Sequence, residues 1–120
     1  MTQMTKEVLM AMVREALFWL AEPSEKQIDH LKEMNVWPCA DELALELDDV
    51  APLLPEALQR GEISSETDLA VRHVSNKLDQ MSGQQNSHLW TPDALANSEH
   101  WETVRLLASE ALGKLERFEH

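Results

Sequence analysis

Asp48 and Asp49 are the first residues in this chain whose type and spacing invite a chemical reading. Carboxylates hold hard cations and act as general acids and bases. Neighbours on a helix point about 100° apart, so one ion shared by this pair would need oxygen ligands from elsewhere in the fold. No calcium-loop spacing surrounds them. The five histidines, His30, His73, His88, His100 and His120, form no His-x-x-x-His pair. His30 and Glu33 are three positions apart, but in the reverse order of the Glu-x-x-His motif that carboxylate-bridged metal helices use in pairs. Cys39 is the only cysteine, which excludes an intramolecular disulfide and a cysteine-rich zinc site. It precedes a helix start, which favours a thiolate, while Asp41 and Glu42 disfavour one; the sequence predicts a buried, inert thiol. Serine-hydrolase, phosphate-loop and dinucleotide motifs are absent. These residues predict no enzyme and no cofactor, with a metal-dependent enzyme using Asp48 and Asp49 as an alternative.

The same two acids belong to a larger feature. The chain has 120 residues, 22 acidic and 10 basic, for a net charge of -12. From Asp41 to Asp68 the acids are Asp41, Glu42, Glu46, Asp48, Asp49, Glu56, Glu62, Glu66 and Asp68, and the only base is Arg60. Leucines run through the segment, so it reads as folded rather than as a solvated tail. A folded surface of one sign repels nucleic acid and anionic lipid and attracts basic partners. The expected partner is a basic protein, with Trp37, Asp41, Glu42, Glu46, Asp48 and Asp49 as candidate contacts and Trp37 as an aromatic anchor. A self-associating structural module is a further alternative, because Met and Trp can supply an apolar homodimer face.

The elements that would position these residues read as helices. Only three glycines occur, and no Asn-Gly or Asp-Gly hairpin turn is present. A first helix is expected after Thr5 and before Pro23, with Val8, Leu9, Met12, Val13, Ala16, Leu17 and Leu20 as its apolar face. Ser24-x-x-Gln27 reads as a capping box opening a second helix from Glu25 to Met34. Pro38 biases Trp37 away from helix. A third helix covers Asp41 to Leu54 on the stripe Leu43, Leu47, Val50 and Leu54, with Pro52 ending or kinking it. Pro55 to Arg60 adds a short turn stopped by Gly61. Ser64 or Ser65 caps a fourth helix reaching Ser82, with Leu69, Ala70, Val74, Leu78 and Met81 inside and Gly83 just past its end. Gln84 to Leu89 reads as a mobile polar loop. Thr91-Pro92-Asp93 opens a short turn. Ser98 caps a final helix from Glu99 to Phe118.

This is an all-α single domain, a compact bundle of about five helices. Trp19, Trp37, Trp90 and Trp101 read as core anchors, although Trp37 and Trp90 fall in predicted loops. No apolar run reaches the roughly 18 residues of a membrane span, and the apolar stretch from Val8 to Ala21 lacks the flanks of a signal peptide. A cytoplasmic setting is expected, consistent with a single thiol.

Two stretches carry a resemblance. One is Trp101-x-x-Val104-x-x-x-Ala108-x-x-Ala111-Leu112-x-x-Leu115, preceded by a polar loop containing proline. The other is Leu47-Asp48-Asp49-Val50, followed by Gly61-Glu62-Ile63 and then a helix. In this order, over the last two thirds of the chain, they resemble a little-characterised family of small helical bacterial proteins. Relatives of that family include candidate immunity proteins encoded beside polymorphic toxins. The resemblance implies an all-helical fold and an immunity role against a toxin domain. It brings no catalytic residues.

Overall fold

The computed structural model describes residues 5–119, with side chains through Arg117. Seven α-helices occupy this span: α1 Lys6–Ala21, α2 Ser24–Glu33, α3 Asp41–Val50, α4 Leu54–Gln59, α5 Ser65–Gln80, α6 Pro92–Asn97 and α7 Glu99–Glu119. Two 3-10 segments, Ala51–Leu53 and Gln84–Trp90, join them, and no strand occurs among the described residues. The count is therefore seven rather than about five. The difference arises at the prolines. Pro52 ends α3 at Val50, and Pro55 starts α4 after one 3-10 turn, where a missing N–H costs nothing. Pro92 likewise opens α6, capped by the Thr91 hydroxyl, which accepts from the Ala94 N–H at 3.1 Å.

α7 is the axis of the fold. It packs along both α1 and α5, and α3 packs mainly against α1. Trp101, Val104, Ala108, Ala111 and Leu115 are fully buried along α7. They meet Val13, Leu17 and Leu20 of α1, Leu43 and Leu47 of α3, and Val71, Val74 and Leu78 of α5 in one continuous core. Each leucine taken wholly out of water contributes about 2 kcal/mol. Four residues expected to face inward are instead exposed: Val8 and Met12 of α1, Leu69 of α5, and Met34 at the end of α2. Met10 and Val71 take inward positions on those helices. Phe118, expected as the last residue of the final helix, has its side chain outside the described residues, and His120 lies outside them in full.

Ends of helices follow local chemistry. Ser64 caps α5, its hydroxyl accepting from the Thr67 N–H at 3.0 Å. α2 does not end through Pro38. Asn35 adopts φ 61°, and the Val36 and Asn35 N–H groups donate to the carbonyls of Leu31 and Lys32. This double bond pattern closes a helix at a left-handed residue, and Asn tolerates that conformation. Gly61, at φ 73°, does the same for α4, with Glu62 donating to Ala57 and Gly61 to Leu58.

The capping box is a correction. Pro23, not Ser24, sits at the N-cap of α2, and no side chain caps it. Gln27 is fully buried. Its amide nitrogen donates to the Trp19 and Leu20 carbonyls at 3.0 and 3.1 Å, closing the C-terminal end of α1. Its amide oxygen accepts from Arg105 Nε of α7 at 3.1 Å. Arg105, almost wholly buried, also donates to the Leu95 carbonyl of α6 and to Glu102 at 3.2 Å. Four helices thus share one polar knot.

The segment from Gln84 to Leu89, expected as a mobile loop, is wound and anchored. The Trp90 indole donates to the Met81 carbonyl at 2.7 Å, and the Trp101 indole to the Leu89 carbonyl at 2.6 Å. The two rings meet edge to face with centroids 5.2 Å apart, the arrangement that aromatic quadrupoles favour.

Candidate functional site: the outer side of α3

α3 folds because Leu43, Ala44, Leu47 and Val50 recur on one side and are buried against the core. The 3.6-residue period then forces Asp41, Glu42, Leu45, Glu46, Asp48 and Asp49 onto the opposite side. Leu45 is exposed at the crest. The acids fall to its two flanks, each facing a groove.

The first groove lies between α3, the end of α5 and the 3-10 segment before α6, with a volume of roughly 430 Å³. Asp41 and Asp48 line it from α3, Asp79 from α5, and Leu45, Leu78 and Trp90 supply apolar wall. Partial burial, then the charges of Asp79 and Asp49, push the Asp48 carboxyl above the ordinary aspartate value. The second groove, between α1 and α3, has roughly 420 Å³ and is lined by Val8, Ala11, Met12, Glu15, Glu46 and Asp49. The Glu46 carboxyl is also raised, mainly by burial. Its contact with His30 Nε2 at 3.4 Å opposes that shift, and Glu15 and Glu42 add to it. His30 is itself held flat on Trp19, with ring centroids 3.7 Å apart and planes 6° from parallel.

The acid block of the sequence is divided by the fold. Asp41, Glu42, Asp48 and Asp49 pair with no Lys, Arg or His side chain among the described residues. Glu46 has His30. Beyond α3 three of the four acids are paired: Glu56 with Arg60 at 2.6 Å, Asp68 with Arg72 at 3.0 Å, and Glu66 with Lys114 at 3.9 Å. Glu62 is half-buried in the turn after α4. The structure keeps the five α3 carboxylates on the outer side of that helix, split between its two flanks, and adds Asp79 on one flank and Glu15 on the other. The latter two carry no local signal in the sequence, because the tertiary packing of α1 and α5 delivers them.

Trp37 lies after α2, half-buried, with Lys32 Nζ 5.1 Å from its ring centroid. One aromatic face is therefore already occupied by a cation. Cys39, expected to be buried, is exposed. Asp48 and Asp49 line different grooves, and among the described residues no three His, Cys, Asp or Glu side chains converge to hold a metal ion. No described helix is long and apolar enough to cross a membrane. The chain matches no family model, no curated protein and no solved structure.

Proposed function

We propose that this chain is a binding protein that engages a basic protein partner through the outer side of α3 and thereby neutralises or regulates it. An immunity protein acting on a toxin domain in the cytoplasm is the specific form we favour. The observation that carries the reading is the set of carboxylates Asp41, Glu42, Asp48 and Asp49, without an ion-pair partner among the described residues, around an exposed leucine on a helix fixed by its buried face. Asp41 and Glu42 lie in the first turn of α3, where the helix dipole favours acids; Asp48 and Asp49 do not. Acids in the last turn of a helix oppose its dipole, and α3 has Asp48 and Asp49 there with no base to offset them. Repulsion from Asp79 adds to that cost. Cations of a partner would relieve both and would be steered to the site from a distance. The same field disfavours nucleic acid and anionic membranes.

The experiment begins with the products of the genes flanking this one, each tested for association with the full chain. One of them should bind, and its association rate should fall as salt rises. Failure of every flanking product to bind removes the immunity form. Salt-independent association with a partner found by other means removes the electrostatic reading altogether.

Self-association is a second reading, favoured by Leu69 and Leu106, which are 54% and 65% exposed on α5 and α7. Sedimentation across a concentration series separates the two, since a monomer at high concentration excludes a homodimer.

A further inference from the structure

The groove between α1 and α3 combines apolar and acidic lining. Val8, Ala11 and Met12 form its floor, one helical face of α1, and Val8 and Met12 are 49% and 38% exposed. Large apolar side chains on the other side of the same helix are buried, so Val8 and Met12 are the apolar side chains of α1 that this groove presents to solvent. Three carboxylates, Glu15, Glu46 and Asp49, stand around the floor, and among the described residues no Lys or Arg lines it. We propose that this groove receives the apolar face of a basic amphipathic α-helix from a partner protein, with Lys or Arg residues flanking that face and reaching Glu15, Glu46 and Asp49.

The proposal rests on the reading above that the partner is basic, and adds the element by which it docks. A furrow between two helices accepts a ridge of side chains at three- and four-residue spacing from a third. Among the described residues there is no strand edge to which an extended peptide could add. Long basic side chains lay their methylene stems along apolar walls and keep their charge at the rim, where these carboxylates stand. Glu46, partly desolvated and in contact with His30, stands at this rim where an arriving cation would meet it. A second copy of this chain is a poor occupant: a symmetric pair across the groove would set Glu15, Glu46 and Asp49 against their own counterparts, in a chain of net charge -12.

The test uses the full chain and two fluorescein-labelled peptides of Leu and Lys, each about 18 residues, long enough to form a helix on a surface. In one the leucines fall on a single helical face. In the other the same residues are shuffled so that no face forms. Fluorescence anisotropy should show the patterned peptide binding at least about tenfold more tightly than the shuffled one. Met12→Glu should weaken the patterned peptide at least about tenfold, the scale of losing one apolar anchor. That variant adds negative charge, so a purely electrostatic contact would strengthen instead. Leu69→Glu on α5 makes the same chemical change elsewhere and should leave binding as it is. Circular dichroism checks that both variants keep their helices. Equal binding of the two peptides, or a Met12→Glu variant that binds as well as the parent, overturns the inference. The broader proposal would then still stand or fall on whether a flanking gene product depends on Asp48 and Asp49. A concentration-dependent dimer dissolved by Met12→Glu overturns the inference in favour of a second copy.

Discussion

Arg105 Nε donates to Gln27 Oε1 at 3.1 Å, joining residues 78 positions apart inside the core. Each residue also closes groups that would otherwise be unmet. Gln27 holds the last carbonyls of α1, and Arg105 holds the Leu95 carbonyl of α6. A buried guanidinium whose nearest carboxylate, Glu102, is exposed depends on these neutral acceptors.

This pair yields a double-mutant cycle. Gln27→Leu strands two carbonyls and one guanidinium N–H, and is expected to cost about 3 kcal/mol. Arg105→Leu removes the charge but strands the Leu95 carbonyl, with an expected cost of about 2–3 kcal/mol. Because the two changes share one lost bond, the double variant should be less destabilised than the sum, by about 1 kcal/mol or more. Urea unfolding of the four proteins measures it. Strict additivity would show that the contact contributes nothing.

The two indole donors that hold residues 84–90 make a second prediction. Trp90→Phe keeps an aromatic wall and loses one hydrogen bond, for an expected cost of about 1 kcal/mol. Trp101→Phe also opens space in the centre of the core and should cost about 3 kcal/mol. Both should speed amide exchange in the 84–90 segment more than in α5. Unchanged exchange there would mean that the segment is ordered by something other than the tryptophans.

Asp48 gives a prediction with a definite sign in pH. Its folded value is raised above the unfolded one, so the folded protein binds this proton more tightly. The penalty is fully present above the folded pKa and is relieved as pH falls through it. Asp48→Asn removes the penalty. It should raise Tm at neutral pH and change nothing near pH 3, roughly where the ordinary aspartate is mostly protonated. A variant that melts lower than the parent at neutral pH would mean that the Asp48 charge is stabilised by the fold instead.

Helix positions were readable because leucines and alanines repeat at 3.6-residue spacing, as along α7 from Trp101 to Leu115. The polar members of the core were not. Ser24-x-x-Gln27 satisfies the local capping pattern, and only tertiary packing turns Gln27 inward. A signal existed: Gln27 precedes Leu31 by one helical turn, and Arg105 fills a gap in the stripe between Trp101 and Ala108. Within the acid block, Glu56–Arg60 and Asp68–Arg72 were legible as four-residue pairs. The Glu66–Lys114 contact was not, nor the arrival of Glu15 and Asp79 beside α3, since each depends on helices far apart in the chain meeting in space.

The central claim concerns the charge on α3, and the rate of association with a flanking gene product tests it most directly. Asp48→Lys with Asp49→Lys is compared with Glu110→Lys and Glu116→Lys, two exposed acids of α7. Both double variants change net charge equally. The α3 variant should associate at least about tenfold more slowly at low salt, with the difference shrinking as salt is added. The α7 variant should stay close to the parent. Equal slowing of both would assign the effect to net charge alone, and an unchanged rate for the α3 variant would contradict the account.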